Sequence, residues 1–156
     1  MTINIDLIKQ SGKAVQGLGI EVARHFYDTL FAHYPELRSM FPGDLSEQRL
    51  RLFNSVILIA SNIDNTNMLV PYLKGLGAGH IRYGTRPEHY RMVGRSLLLT
   101  LKHFLGPAWT REMAESWVAA YNLASTVCIE AASEAMAPSR YVPVTLDQVP
   151  PAGANH

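Results

Sequence analysis

Five polar residues stand where helical periodicity asks for apolar ones: Tyr27, Gln48, His80, Tyr90 and Glu134. His80 is the most telling. Leu76, Leu73 and Leu69 precede it at intervals of four, three and four residues, which places all of them on one face of a helix. The imidazole therefore hangs from an apolar stripe, and Gly84 and Pro87 break the chain soon after it. A polar group there is costly to bury without a partner. A metal in a hydrophobic pocket is one such partner for a neutral imidazole, and a backbone carbonyl is another. The other four residues have ordinary alternatives too. Tyr27 could fill core with its hydroxyl on a carbonyl. Gln48 and Tyr90 lie near helix starts and could face water, and Glu134 lies near a helix end. Five such residues on five helices nevertheless suit an apolar pocket with a few convergent polar groups, the usual form of a cofactor site.

The elements that must position these residues read as helices nearly throughout. Asn4 or Thr2 is expected to cap a first helix carrying Ile5, Ile8 and Val15, with Gly17 and Gly19 loosening its end. A second stripe runs Ile20, Ala23, Tyr27, Leu30, Phe31 and Tyr34, closed by Pro35. Phe41-Pro42-Gly43 is a strong break. Asp44 with Glu47 has capping-box spacing and opens a helix with Gln48, Leu52, Val56, Ile59, Ala60 and Ile63 on one face. The His80 helix follows. Thr85 and Glu88 repeat the box, with Pro87 in the first turn, ahead of Tyr90, Val93, Leu97 and Leu101. Gly106-Pro107 ends that helix. Thr110 caps the last one, whose stripe runs from Met113 through Trp117, Tyr121 and Ala124 to Glu134. The expectation is an all-α chain of six to seven helices. Residues 1–136 form its domain, and a proline-rich tail over 137–156 is expected to be extended and flexible.

Composition narrows the class. A chain of 156 residues is one domain by length and buries a real core without staples. The single cysteine, Cys128, permits no internal disulfide and reads as a small buried hydrophobe. Lys and Arg number 14 against 13 Asp and Glu, with no basic run, which argues against nucleic acid as a partner. No apolar stretch is long enough to span a bilayer, and the first residues have no signal-peptide core. A cytoplasmic location is expected. The remaining histidines, His25, His33, His89, His103 and His156, read as surface groups.

Several segments then carry a family resemblance. They are Phe26-Tyr27-Asp28-Thr29-Leu30-Phe31, with Pro35-Glu36-Leu37 and Phe41 after it, and Gln48-Arg49 running to Leu52-Phe53. Ala60 to Asn65, Leu76 to His80, Pro87-Glu88-His89-Tyr90 with Val93-Gly94, and Trp117 with Tyr121 complete the set. Over residues 5–135 the chain resembles the globin domain of bacterial flavohaemoglobins and their single-domain relatives. Gln48 precedes His80 by 32 residues, in agreement with that family's distal-to-proximal interval. The resemblance implies a globin fold around a haem b (iron protoporphyrin IX) pocket.

It also implies roles. His80 would be the proximal iron ligand, leaving the sixth position open to O2, NO or CO. Phe41 would wedge the haem, with Leu52 and Leu76 packing on it. Tyr27 and Gln48 would face the gas, and a phenol O–H aimed at a partly negative O2 contributes about 1–3 kcal/mol. Tyr90 and Glu134 would hydrogen-bond His80 and strengthen it as an electron donor, which favours O2 activation over storage. Gly79 stands where relatives often carry a lysine that reaches a haem propionate, and Arg82 or Lys74 would take over that contact. The flavin and nicotinamide reductase of flavohaemoglobins has no counterpart in these residues. The expected function is therefore reversible O2 binding at a penta-coordinate ferrous iron, with nitric oxide converted to nitrate when a separate reductase supplies electrons. An O2 carrier, or a gas sensor acting through the tail, is the alternative. Monomer and homodimer are both compatible.

Overall fold

The computed structural model describes residues 3–80, 85–133 and 142–153. Six α-helices make up most of it: α1 (Ile5–Leu18), α2 (Glu21–His33), α3 (Ser46–Ser61), α4 (Thr66–His80), α5 (Pro87–Leu105) and α6 (Arg111–Ser133). Short 3-10 turns occupy Pro35–Met40, Gly106–Ala108 and Leu146–Gln148, and no strand is present among the described residues. The all-α expectation holds.

Two helix starts follow the sequence and two are displaced. The Leu7 N–H donates to Asn4 Oδ1 at 3.2 Å, and the Met113 N–H donates to Thr110 Oγ1 at 3.2 Å, so both side chains satisfy orphan amides as expected. Asp44 does not form the expected box. Its carboxylate accepts from the Ser46 N–H at 2.9 Å and the Ser46 hydroxyl at 2.7 Å, which is a local turn, while Glu47 pairs with Arg51. The box expected at Thr85 and Glu88 moves one residue on. Arg86, extended because it precedes Pro87, takes the cap position, and its N–H donates to His89 Nδ1 at 2.9 Å. Glu88 instead pairs with Arg86.

Two glycines set how closely the helices around His80 approach. A Cβ on Gly77 of α4 would lie 2.2 Å from the Cys128 carbonyl oxygen of α6, so only hydrogen fits there. The Cys128 thiol, pushed up to about 12 by burial, donates to the Leu73 carbonyl at 3.3 Å. That fits the small-hydrophobe reading. A Cβ on Gly94 of α5 would lie 2.3 Å from the Tyr121 ring of α6. At the other end of α6, Trp117 Nε1–H donates to Ser11 Oγ of α1 at 2.9 Å.

Within the proline-rich segment, residues 142–153 pack rather than trail. Val144 is 2 % exposed and Val149 is fully buried. The Asn122 side chain donates to the Val144 carbonyl (2.9 Å) and accepts its N–H (3.1 Å), and the Ala152 N–H donates to the Trp109 carbonyl (2.8 Å). Two valines with a core to enter, and an amide side chain satisfying both backbone groups of one of them, explain the docking. The junction at 137 lies outside the described residues.

Candidate functional site

Among the described residues the helices wall a large cavity of about 400 Å³, lined mainly by apolar side chains. Tyr27, Phe41, Gln48, Leu52, Leu76, His80 and Tyr90, all singled out from sequence, line it. Glu134 and Arg82 lie outside the described residues.

On the wall built by α4 and α5, the stripe of Leu69 and Leu73 is buried, and His80 at the C-terminus of α4 reaches the cavity. His80 Nδ1 sits 2.9 Å from the Tyr90 hydroxyl. Burial lowers the His80 pKa and so keeps the ring neutral, the form that can offer a lone pair. Burial is also the main cause that pushes the Tyr90 phenol upward, so it stays a phenol. With Nδ1 committed to Tyr90, Nε2 is the nitrogen left for a ligand. The Tyr121 hydroxyl in turn donates to the Tyr90 carbonyl and fixes that residue's backbone from α6.

On the wall built by α2 and α3, Tyr27 is 5 % exposed and caged by rings. Phe26 and Phe41 meet it edge-to-face at 4.8 and 5.6 Å, and Phe31 lies tilted at 5.9 Å. Burial, partly offset by Arg49, pushes its phenol up to about 12. Its hydroxyl donates to the main-chain carbonyl of Gln48 at 3.4 Å, the outer limit of a useful hydrogen bond. The hydroxyl thus rests on a carbonyl, as the core-filling alternative allows, and Gln48 itself lines the cavity.

Sequence reasoning misplaced one cavity residue. His89, expected at the surface, is 8 % exposed and lines the cavity. The available signal was its position at the third residue of a Pro-led helix, where a side-chain acceptor meets the cap amide. His25 is also drawn inward. It stacks on exposed His103 at 4.2 Å and contacts the buried Thr100 hydroxyl at 3.2 Å, while His33 is exposed as expected. His156 lies outside the described residues.

The donor set constrains what the cavity could hold. Among the described residues no group of three or more His, Cys, Asp or Glu converges on a metal position. His80 there offers one nitrogen at the edge of an apolar chamber. A metal held this way must bring its other in-plane donors with it, inside a flat apolar ligand, and that is the binding problem a haem poses.

The family profile for globins matches residues 24–128. The chain belongs to the globin family. This globin is 36 % identical to the flavohaemoprotein of Bacillus subtilis over 122 residues, 76 % of this chain and 31 % of that protein. It is 32 % identical to the flavohaemoprotein of Vibrio cholerae over 130 residues, 81 % of this chain and 33 % of that protein. It therefore spans about a third of the length of these relatives. Its fold matches a bacterial globin from Campylobacter jejuni with a TM-score of 0.75 at 27 % identity, covering 84 % of this chain and 95 % of that one. It also matches an engineered carbene transferase made from a candidate nitric oxide dioxygenase of Rhodothermus marinus. There the TM-score is 0.77 at 26 % identity, covering 86 % of this chain and 96 % of that one. Membership of the family implies a haem cofactor and a gaseous ligand such as O2. Among the described residues no helix is long and apolar enough to cross a membrane.

Proposed function

We propose that this globin holds iron protoporphyrin IX, binds O2 reversibly at a five-coordinate ferrous iron, and uses it to convert nitric oxide to nitrate. The observation that carries this reading is the 2.9 Å contact between His80 Nδ1 and the Tyr90 hydroxyl, in a cavity that also receives the Tyr27 phenol. The overall change joins NO, O2 and one electron into nitrate, and a separate reductase supplies the electron. The relatives named flavohaemoproteins support that last element.

Haem would supply the gas-binding metal and the oxygenation chemistry. His80 Nε2 would hold the iron, with Phe41, Leu52 and Leu76 packing against the macrocycle. The protein's own groups do the rest. With Nε2 taken by the iron, Nδ1 would carry the proton and donate to the Tyr90 oxygen, which fixes the ring plane and makes the imidazole more basic. Glu134 would join as a second acceptor on that side. Tyr27, released from a 3.4 Å bond at little cost, turns its hydroxyl toward a ligand that gathers negative charge. Leu52 and Phe41 exclude water, and the dry surroundings strengthen that hydrogen bond.

Stopped-flow mixing of the oxygenated protein with NO tests the reading. Oxidation of the haem with stoichiometric nitrate is expected, at a rate well above that of a simple carrier, and slowed by Tyr90→Phe. A carrier-like rate that is indifferent to Tyr90→Phe would leave O2 delivery as the function.

A further inference from the structure

His89 is buried beside the cavity, yet neither the iron-holding wall nor the gas-facing wall uses it. Its chemistry is fixed by one contact. The Arg86 N–H donates to Nδ1 at 2.9 Å, so Nδ1 must keep its lone pair, and the proton of the neutral ring sits on Nε2. Burial lowers the pKa of this imidazole, which favours that neutral form. With Nδ1 turned to the backbone of its own helix start, the opposite edge of the ring is the edge left for the cavity. It carries an N–H donor for which no protein acceptor is found among the described residues.

The surroundings favour an anionic acceptor. His89 lies in the first turn of α5, a 19-residue helix whose N-terminal amides carry partial positive charge. The nearest carboxylate on that turn, Glu88, is already paired with Arg86 at 3.1 Å. Thr85, four residues before it, also lines the cavity and adds a hydroxyl, and Gly79, another lining residue, brings no side chain at all.

We infer that His89 Nε2–H binds a carboxylate on the edge of the bound macrocycle, so that one imidazole both caps α5 and anchors the cofactor. This rests on the haem reading above. The two roles are separable by substitution. His89→Gln can accept the Arg86 N–H and still donate. His89→Glu accepts it equally well, as the usual capping-box residue, but presents a negative charge to the cavity.

The test is the rate at which the reconstituted holoprotein loses its pigment to an excess of an avid haem acceptor, measured with haemin and with haemin dimethyl ester, whose carboxylates are blocked. With haemin, His89→Gln should stay near wild type and His89→Glu should lose pigment roughly tenfold faster or more, the scale of a lost charge-assisted hydrogen bond. With the ester, the two variants should lose it at the same rate. His89→Leu loses the cap as well as the donor, and comparing the two pigments within that one variant cancels the lost cap. Its haemin loss should accelerate relative to its own ester loss. Equal acceleration for both pigments, or no difference between Glu and Gln with haemin, would overturn the assignment while leaving the haem reading intact. A wild-type chain that takes up neither pigment would overturn both.

Discussion

Tyr27, buried, and Tyr90, half-buried, are phenols beside the same cavity, but they are held very differently. Tyr27 is caged by three phenyl rings and tethered only by a 3.4 Å bond to a main-chain carbonyl. Tyr90 sits 2.9 Å from the His80 imidazole, and its own carbonyl accepts from Tyr121 on another helix. One phenol is confined by shape and nearly free to re-aim its proton. The other is one link in a hydrogen-bonded series that crosses α4, α5 and α6. A wall meant to meet a changing ligand benefits from the first arrangement, and a wall meant to fix a metal ligand benefits from the second.

The contrast can be broken from either side. Removing the imidazole is the largest change. His80→Ala is expected to abolish stable pigment binding, read as loss of the Soret band and of CO uptake, with partial recovery when free imidazole is added. On the other wall, Tyr27→Phe keeps the ring cage and deletes one hydroxyl. O2 dissociation, followed after flash photolysis or by CO replacement, should speed up about tenfold to a hundredfold, the equivalent of about 1–3 kcal/mol. An unchanged rate would mean that another donor holds the ligand. Gly94→Ala strikes the series behind Tyr90, since the new methyl would collide with the Tyr121 ring. Urea denaturation should show a loss of about 1–3 kcal/mol, with O2 release still governed by Tyr27.

The smallest effect is alkaline. Tyr27 holds its proton to about pH 12 when folded, against 10.0 when unfolded. The stability tied to that proton is complete below pH 10 and falls as the pH rises toward 12. Tyr27→Phe should therefore flatten the alkaline limb of the apoprotein's denaturation profile.

Much of this was readable in the residues, and the failures have physical causes. The stripes through Leu69, Leu73 and Leu76, and through Val93 and Leu97, locate α4 and α5 because burial repeats with the helix. Asn4 and Thr110 announce caps because few other side chains reach an orphan amide. Periodicity is blind to what a side chain does with its own backbone. That the pre-proline Arg86 stays extended is legible from Pro87, but whether Glu88 or His89 supplies the acceptor depends on which side chain turns back to the cap amide, and periodicity does not carry that. The packing of 142–153 was hidden because prolines read as looseness, whereas the valines between them find a buried place and Asn122 meets the exposed backbone.

That Asn122 side chain imitates a neighbouring strand with a single amide group. Val144 has no regular secondary structure around it, yet its N–H is closed off much as a ladder position would be. In deuterated solvent its amide should exchange at the pace of the middle of α6. It should do so even though loops of this composition ordinarily trade their protons almost at once.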